Sequence, residues 1–242
     1  MLFRIAACSL TFGIVAAVAL PAYPARQSPG AGQAIATFVP ARLLNGSLPP
    51  TPSPLVVARI EETLEVLVDT TGRVGLMTPL RASPLPADPL TPTVVGWRFQ
   101  PTIDRGVVVP SRVLVAAIFR PAQLNDAPTF GQLPVDLRAP SDEIPFPLVT
   151  ETPQYPPLAV GDGVVLIEVL VGVDGRVQQL RTFAATAGFE QIALNAAGRW
   201  SFRPARRNDR AVEAYAYLLF GFRTPVVVGP PARPGGSTPP AR

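Results

Sequence analysis

The chain has 242 residues, of which 48% are hydrophobic and 16% charged, with a net charge of +4. This length fits one medium domain or two small ones, and the apolar content is enough for a packed core. The 31 prolines predict a large share of turn and linker, because proline is excluded from the interior of regular elements. There is no histidine, and the single cysteine is Cys8. That excludes Ser-His and Cys-His triads and zinc sites built from His and Cys. The modest net charge, carried on the basic side by arginine alone, argues against a nucleic-acid partner.

The first 25 residues have the pattern of an export signal. Arg4 precedes an apolar run over residues 5–20, and small residues and prolines follow up to residue 25. This pattern predicts a secretory signal peptide. The run is somewhat shorter than the ~20 residues that span a bilayer, and an uncleaved anchor in the inner membrane is the alternative. Both predict a protein of the periplasm.

Several motifs recur at an offset of 103 residues without a gap. The recurring pairs are residues 54–55 and 157–158, 65–74 and 168–177, 97–101 and 200–204, and 119–120 and 222–223. A fixed period of this kind indicates a tandem duplication of one structural unit.

The second copy has the clearer pattern. Alternating β-branched residues over residues 165–173 predict a strand with one buried face. Asp174-Gly175 predicts a tight hairpin turn, after which the chain returns as a second strand over residues 177–183. A helix follows, with one apolar face, and a last strand covers residues 212–222. The apolar helix positions are Phe189, Ile192, Ala193, Ala196, Ala197 and Trp200.

This order predicts the α+β class, with two small β-β-α-β modules, each an antiparallel three-stranded sheet with one helix packed on a face. The first copy is degenerate, because prolines fall where its helix should be; Thr91 is predicted to cap a short remnant that starts at Pro92. The predicted organisation has modules at residues 51–121 and 151–224, Pro-rich linkers at 26–50 and 122–150, and a disordered Pro-rich tail at 225–242.

Individual polar and aromatic residues give no sign of catalysis. Glu65 and Glu168 recur at matching positions, but they are predicted to lie on the solvated faces of their strands. Asp174 is interpreted as a turn residue. Trp97 and Trp200 are predicted to be hydrophobic anchors rather than ligand-stacking platforms. We therefore expect no catalytic, metal-binding or cofactor-binding residues, and a protein that is not an enzyme.

Three motifs in the second copy point to a known family. Gln154-Tyr155-Pro156, then Asp174-Gly175-Arg176-Val177, then Trp200-Ser201-Phe202-Arg203-Pro204 occur in this order. Residues 151–224 thereby resemble the C-terminal domain of TonB, and residues 51–121 resemble it in degraded form. The resemblance implies an energy transducer that pairs with the TonB box, a short extended segment of outer-membrane TonB-dependent receptors. It also implies the ExbB–ExbD motor complex as partner at the inner membrane.

The last strand, residues 212–222, is predicted to be a free sheet edge that accepts a partner strand. Tyr215 and Tyr217 would hold the side chains of that strand, while Glu213 and Arg223 would set its register. The resemblance places Tyr155 and Pro156 near the same edge. The predicted partner-binding set is Tyr155, Pro156, Glu213, Tyr215, Ala216, Tyr217, Leu219 and Arg223. The alternative is an envelope adaptor whose modules bind each other or a scaffold without energy coupling.

Overall fold

The computed structural model describes residues 38–51, 60–82, 90–119, 135–136 and 139–224. Its first half contains β1 (Phe38–Val39), β2 (Arg42–Asn45), β3 (Ile60–Val68), β4 (Val74–Ala82), α1 (Thr91–Val94), β5 (Arg98–Gln100), β6 (Thr102–Asp104), β7 (Val107–Val109) and β8 (Ser111–Phe119). The second half contains β9 (Val135–Asp136), β10 (Phe146–Val149), β11 (Gly163–Val171), β12 (Val177–Ala185), α2 (Glu190–Ala197), β13 (Ser201–Arg203), β14 (Ala205–Arg207), β15 (Arg210–Val212) and β16 (Ala214–Phe222).

One seven-stranded sheet connects the two halves, in the order β12-β11-β16-β8-β3-β4-β9. β16 and β8 lie side by side and parallel, from Ala216 opposite Leu114 to Gly221 opposite Phe119. The remaining neighbours are antiparallel. The expectation of two separate three-stranded sheets is therefore wrong, whereas the α+β class is confirmed.

The composition of β8 and β16 explains why they lie at the centre of the sheet. Alternate residues of β8 enter two different cores, Val113, Val115, Ala117 and Phe119 on one face and Leu114, Ala116 and Ile118 on the other. β16 carries no charged residue at all. Strands that are apolar on both sides are typical of sheets covered on both faces. Each of these two strands therefore supplies a buried surface to both halves.

The two helices cover opposite faces of this sheet. α1 and Trp97 belong to one core, and α2 and Trp200 belong to the other. The apolar face predicted for α2 is confirmed, with Ile192 half-buried and the other five positions buried. The short α1 is also confirmed, but its N-cap is Leu90 and not Thr91.

Parts of both predicted linkers belong to the fold. β2 pairs with β5 and β10 pairs with β13, and Ala41, Leu43 and Ile144 are buried. The linker assignment is wrong for these residues. The predicted signal peptide or anchor (residues 1–25) and the tail (residues 225–242) lie outside the described residues. Within the described ranges no helix is long and apolar enough to cross a membrane.

Each strand from β3 to β8 has a counterpart between β11 and β16 whose bounds lie 103 residues later. β9 and β10 lie between these two sets and do not belong to either. Three short strands separate the helix from the last long strand in both halves. Each half thus holds more strands than the β-β-α-β order predicted. The outer strands even share an irregularity, because β4 has an extra residue at Leu80 and β12 has one at Phe183.

Candidate protein-binding site

β16 is not a free edge. It pairs with β11 on one side and with β8 on the other, along most of its length on both sides. Its backbone groups are therefore engaged in the ladder and cannot receive another strand. The prediction of strand addition to residues 212–222 is wrong, because β8 of the other half of the chain pairs with the second edge of β16.

Three of the predicted binding residues are inaccessible. Ala216, Tyr217 and Leu219 are fully buried. The Tyr217 hydroxyl accepts a hydrogen bond of 2.7 Å from the backbone N–H of Leu43. Burial raises the pKa of Tyr217, and the nearby charge of Glu168 raises this pKa further. These residues form the interior of the molecule and not a contact surface.

The other predicted residues divide between the two ends of β16. Glu213 is exposed and Tyr215 is half-buried beneath the Arg42 guanidinium, 5.4 Å from its ring centre. Arg223, at the far end of the strand, is buried and lies 3.8 Å from Asp162. At ~3.4 Å per residue the two groups are roughly 27 Å apart. The structure does not bring them together.

Tyr155 has a clear structural role. Its hydroxyl donates to the carbonyl oxygens of Ala159 at 3.2 Å and Gly161 at 2.7 Å. Its ring packs edge-on against Phe189, with the centroids 5.6 Å apart. Tyr155 therefore braces the loop of residues 156–162, in which Pro156 is half-buried. The structure thus gives Tyr155 a role in packing, whereas the sequence analysis assigned it to partner binding.

The remaining motif residues hold one another in place. The N–H of Phe202 donates to the carbonyl of Gly175 at 2.8 Å, which connects the hairpin turn to β13. The indole of Trp200 donates to the carbonyl of Glu151 at 2.9 Å, and its side chain is only 4% exposed. Trp97 is fully buried in the same way and donates to the carbonyl of Ser47. The prediction that both tryptophans are anchors is confirmed.

The accessible edge of the sheet is β12. It is the terminal strand of the sheet and, within the described part of the chain, pairs only with β11. Gln178, Gln179, Arg181 and Ala185 are exposed along it. Residues 179–182 pair with β11 in regular register between two bulges. A row of unpaired backbone groups of this kind is a template for an incoming strand.

The opposite edge, β4, differs from β12 in two ways. Pro79 lies within β4 and has no N–H to donate, whereas its counterpart in β12 is Thr182. β9 also covers one end of β4, with Asp136 opposite Arg81 and Val135 opposite Ala82. A proline within an edge strand and a segment that covers this strand both reduce its ability to pair with another strand. The sequence analysis did not identify β12 as the accessible edge, although Pro79 in β4 was a visible signal.

A buried carboxylate on the neighbouring strand β11 holds a side chain of β12. Glu168 is 2% exposed and accepts hydrogen bonds from Arg42 at 2.9 and 3.1 Å and from Arg181 at 3.0 and 3.1 Å. The Arg181 guanidinium also lies 5.3 Å from the Phe183 ring centre. Charge-assisted pairs of this geometry fix side chains firmly. Arg181 of β12 is thus held in place at the edge.

Glu65, the counterpart of Glu168, is also buried. It pairs with Arg112 and accepts the backbone N–H of Ser141 at 2.9 Å. The prediction of solvated faces for both glutamates is therefore wrong. Among the described residues, no group of three or more acidic or cysteine side chains could hold a metal ion.

Residues 151–224 match the family model described as Gram-negative bacterial TonB protein C-terminal. The match includes β11, β12, α2 and β16 and supports a TonB C-terminal domain in this part of the chain. It also supports a protein-interaction module of the cell envelope. No curated protein matches the chain.

Proposed function

We propose that the protein is a periplasmic binding module that pairs with an extended segment of an outer-membrane TonB-dependent transporter, by strand addition to β12. The observation that carries the proposal is the edge of β12 (Val177–Ala185), which among the described residues pairs only with β11 and which lies inside the family-matched segment. Main-chain hydrogen bonds would supply the affinity of such a complex, and neighbouring side chains its specificity. The proposed function is binding, without catalysis or a cofactor.

The exposed side chains of β12 suit a polar extended partner. Gln178 and Gln179 can both donate and accept hydrogen bonds, and Arg181 offers a cation that Glu168 already holds in place. The binding residues in this proposal belong to β12 and replace the earlier set on β16. The regular register between the bulges, residues 179–182, is the central contact.

We further propose that the chain arose by tandem duplication and that its first half is a degenerate copy. The constant offset of 103 residues between corresponding strands supports this origin. In this proposal the first copy covers the inner edge of β16 through β8 and leaves β12 as the binding edge. Export by residues 1–25, and coupling to the ExbB–ExbD complex if that segment stays as an anchor, belong to the same proposal.

A specific observation favours a second function, that of an envelope adaptor. The two halves contact each other through the parallel β8–β16 pairing, which supports contacts between modules of this kind. In an adaptor, β12 would receive a strand from a scaffold protein, and no transporter segment would bind. The two functions differ in the peptide that β12 accepts.

Substituting Thr182 by proline tests the binding edge. Pro79 occupies the same position in β4 without breaking that strand, so T182P is expected to keep the fold while it removes a backbone donor from β12. A peptide from the N-terminal segment of a TonB-dependent receptor is titrated into the labelled protein and followed by backbone amide NMR. We expect the largest shifts on residues 177–185 and a loss of binding by at least about tenfold in T182P.

The matched control is Thr182→Val, which keeps the N–H and the side-chain shape. The hydroxyl of Thr182 is buried and has no hydrogen-bond partner in the described structure, so its removal should be harmless. T182V should bind like the wild type, and circular dichroism should show both variants folded. Shifts concentrated on α2 or β4, or full binding by a folded T182P, would show that strand addition to β12 is wrong. If the receptor peptide fails but a scaffold peptide shifts β12, the adaptor function is favoured.

A further inference from the structure

Two arginines beside the β12 edge share a single carboxylate. Arg181 of β12 donates from Nε to Glu168 Oε1 at 3.0 Å and from Nη2 to Oε2 at 3.1 Å. Arg42 of β2 donates from Nε and Nη2 to the same Oε1, at 3.1 and 2.9 Å. Among the described residues, no other carboxylate lies within 4.0 Å of either guanidinium. The three groups together therefore carry one excess positive charge.

Both guanidinium groups keep donors for a partner. A guanidinium has more N–H donors than these bonds use, and within the described part of the chain Nη1 of Arg42 and of Arg181 has no acceptor. The two arginine side chains are 44% and 48% exposed, whereas that of Glu168 is 2% exposed. A partner can therefore reach the cations but not the carboxylate between them.

An aromatic ring lies beneath each guanidinium. Arg42 is 5.4 Å from the ring centre of Tyr215, and Arg181 is 5.3 Å from that of Phe183. Such contacts favour a cation over the ring face without neutralising it, and stacking suits the planar guanidinium. The positions of both groups are thus fixed while the excess charge stays uncompensated.

Arg42 reaches this cluster from the first half of the chain. Its strand β2 pairs with β5, where Arg42 lies opposite Gln100. The N–H of the next residue, Leu43, donates to the Tyr217 hydroxyl of the second half at 2.7 Å. Arg42 is therefore held between the two halves, and the first half supplies the second cation of a cluster whose other members lie in β11 and β12.

The opposite edge has the reverse charge balance. The position in β4 that corresponds to Arg181 is Thr78, so Glu65 has no cationic partner on the edge strand. Glu65 pairs instead with Arg112 of β8, which also lies 3.8 Å from Glu143. Two carboxylates therefore share one guanidinium there, and the excess positive charge is specific to the β12 side.

A strand added to β12 would pass close to this cluster. Side chains directly opposite each other on neighbouring antiparallel strands have their Cβ atoms ~4.5–5.5 Å apart. One side chain of the incoming strand would therefore lie beside Arg181. Opposite charges at such positions stabilise the pair of strands and like charges destabilise it. Without Arg42, Glu168 would neutralise Arg181 and this attraction would be lost.

We infer that Arg42 keeps the β12 edge cationic and thereby makes β12 select a strand with an acidic side chain opposite Arg181. The inference rests on the proposed function, because it names the chemistry of the strand that β12 accepts. Arg181 contacts the partner in this arrangement, whereas Arg42 acts through Glu168 and is a positioning residue. The first half of the chain thus determines the specificity of the second.

Paired peptides measure this selection in the full chain. The receptor-derived peptide is prepared with Glu at one position at a time, and each Glu peptide is compared with its Gln counterpart by backbone amide NMR titration. At one position the wild type should bind the Glu peptide about two- to fivefold more tightly, which is the range of an opposite-charge pair across strands. Added salt should reduce this preference, because it screens exposed charges.

Substitutions of Arg42 separate its charge from a structural role. Arg42→Gln should bind both peptides of the pair equally, with unchanged affinity for the Gln peptide, whereas a merely structural loss would weaken both. Arg42→Lys keeps the charge and should retain the preference for Glu. Arg105→Gln is the matched control, because it removes the same charge from the exposed turn between β6 and β7 and should select like the wild type.

The possible failures are distinguishable. If Glu and Gln peptides shift the β12 amides with equal affinity at every position, the inference is overturned and the proposed function stands. A preference for Glu that is as large in R42Q as in the wild type would also overturn the inference. If no peptide shifts the β12 amides of the wild type, the proposed transporter function and the inference fail together.

Discussion

Gly175 shows how one residue joins two motifs that are far apart in sequence. Its φ is +77°, and a Cβ placed on it would lie 2.0 Å from the carbonyl oxygen of Phe202. Gly72 has the same relation to Phe99 in the first half, with a φ of +78° and a distance of 1.8 Å. Only glycine allows both the backbone angle and the close approach. The Asp-Gly-Arg-Val and Trp-x-Phe-x-Pro motifs are therefore parts of one contact.

Gly175→Ala is expected to destabilise the protein more than a left-handed glycine alone accounts for. Gly106 is the matched control, because its φ is +81° and a Cβ there would meet nothing within 4 Å. G106A should lower the free energy of unfolding by about 1 kcal/mol, and G175A by about 1–3 kcal/mol more, through its clash with the backbone. Chemical denaturation measures both. Equal losses in the two variants would refute the Gly175–Phe202 contact.

Residue roles that depend on near neighbours were predictable from the sequence. The Asp174-Gly175 turn and the anchoring by Trp200 depend on the local pattern, and both are confirmed. Glu168 was predicted wrongly because one of its partners, Arg42, is 126 residues away in the chain. Alternation along one strand shows which side a residue faces, but it does not show what covers that side.

At the scale of elements, the order of strands was the main error, and its physical reason is non-local pairing. The run Ala214–Phe222 is apolar on both faces, which indicates a central strand. β11 likewise has two buried faces and not one, with only Leu170 partly exposed. The individual long strands and α2 were predictable from their own periodicity, and the short α1 from Pro92 near its start. The pairing of β8 with β16 was not predictable in this way.

Glu168 connects three elements, because Arg42 belongs to β2 and Arg181 to β12, while Glu168 itself belongs to β11. Glu168→Gln keeps the shape but removes the charge, and both guanidinium groups then lose their strongest acceptor. We expect the free energy of unfolding to fall by about 1–3 kcal/mol. Denaturation of E168Q measures the loss, with Glu213→Gln, at an exposed position, as the control. No difference between the two variants would mean that solvent replaces the pairs without cost.

At the scale of the whole molecule, the described part of the sheet is close to twofold symmetric, because the order β12-β11-β16 on one side of the junction corresponds to β4-β3-β8 on the other. Asp104 and Arg207, which occupy corresponding positions 103 residues apart, contact each other at 2.9 Å. Residues that meet their own counterparts lie close to such an axis. The parallel pair β8 and β16 and the helices on opposite faces follow the same arrangement. Each half completes the core of the other, since Val164, Leu166, Tyr217 and Leu219 pack in the core that contains Trp97.

Because the halves share one sheet, they should unfold together. The protein has two tryptophans, and Trp97→Phe leaves Trp200 as the reporter of the second half. W97F should lower the stability of the first core by about 1–3 kcal/mol. The midpoint reported by Trp200 should fall by the corresponding amount and coincide with that from circular dichroism. A Trp200 midpoint that stays at its wild-type value would show that the halves unfold independently.

The closed junction between β8 and β16 also determines how many strands one molecule can receive. A module of this type on its own has two open sides and could extend into a ribbon of alternating molecules. Here one edge of each half pairs with the other half at the β8–β16 junction. Pro79 and β9 obstruct the other edge of the first half, which is β4. Within the described ranges a single receptive side remains. The stoichiometry of any complex formed at β12 is therefore one to one, and growth into longer assemblies ends at the first partner.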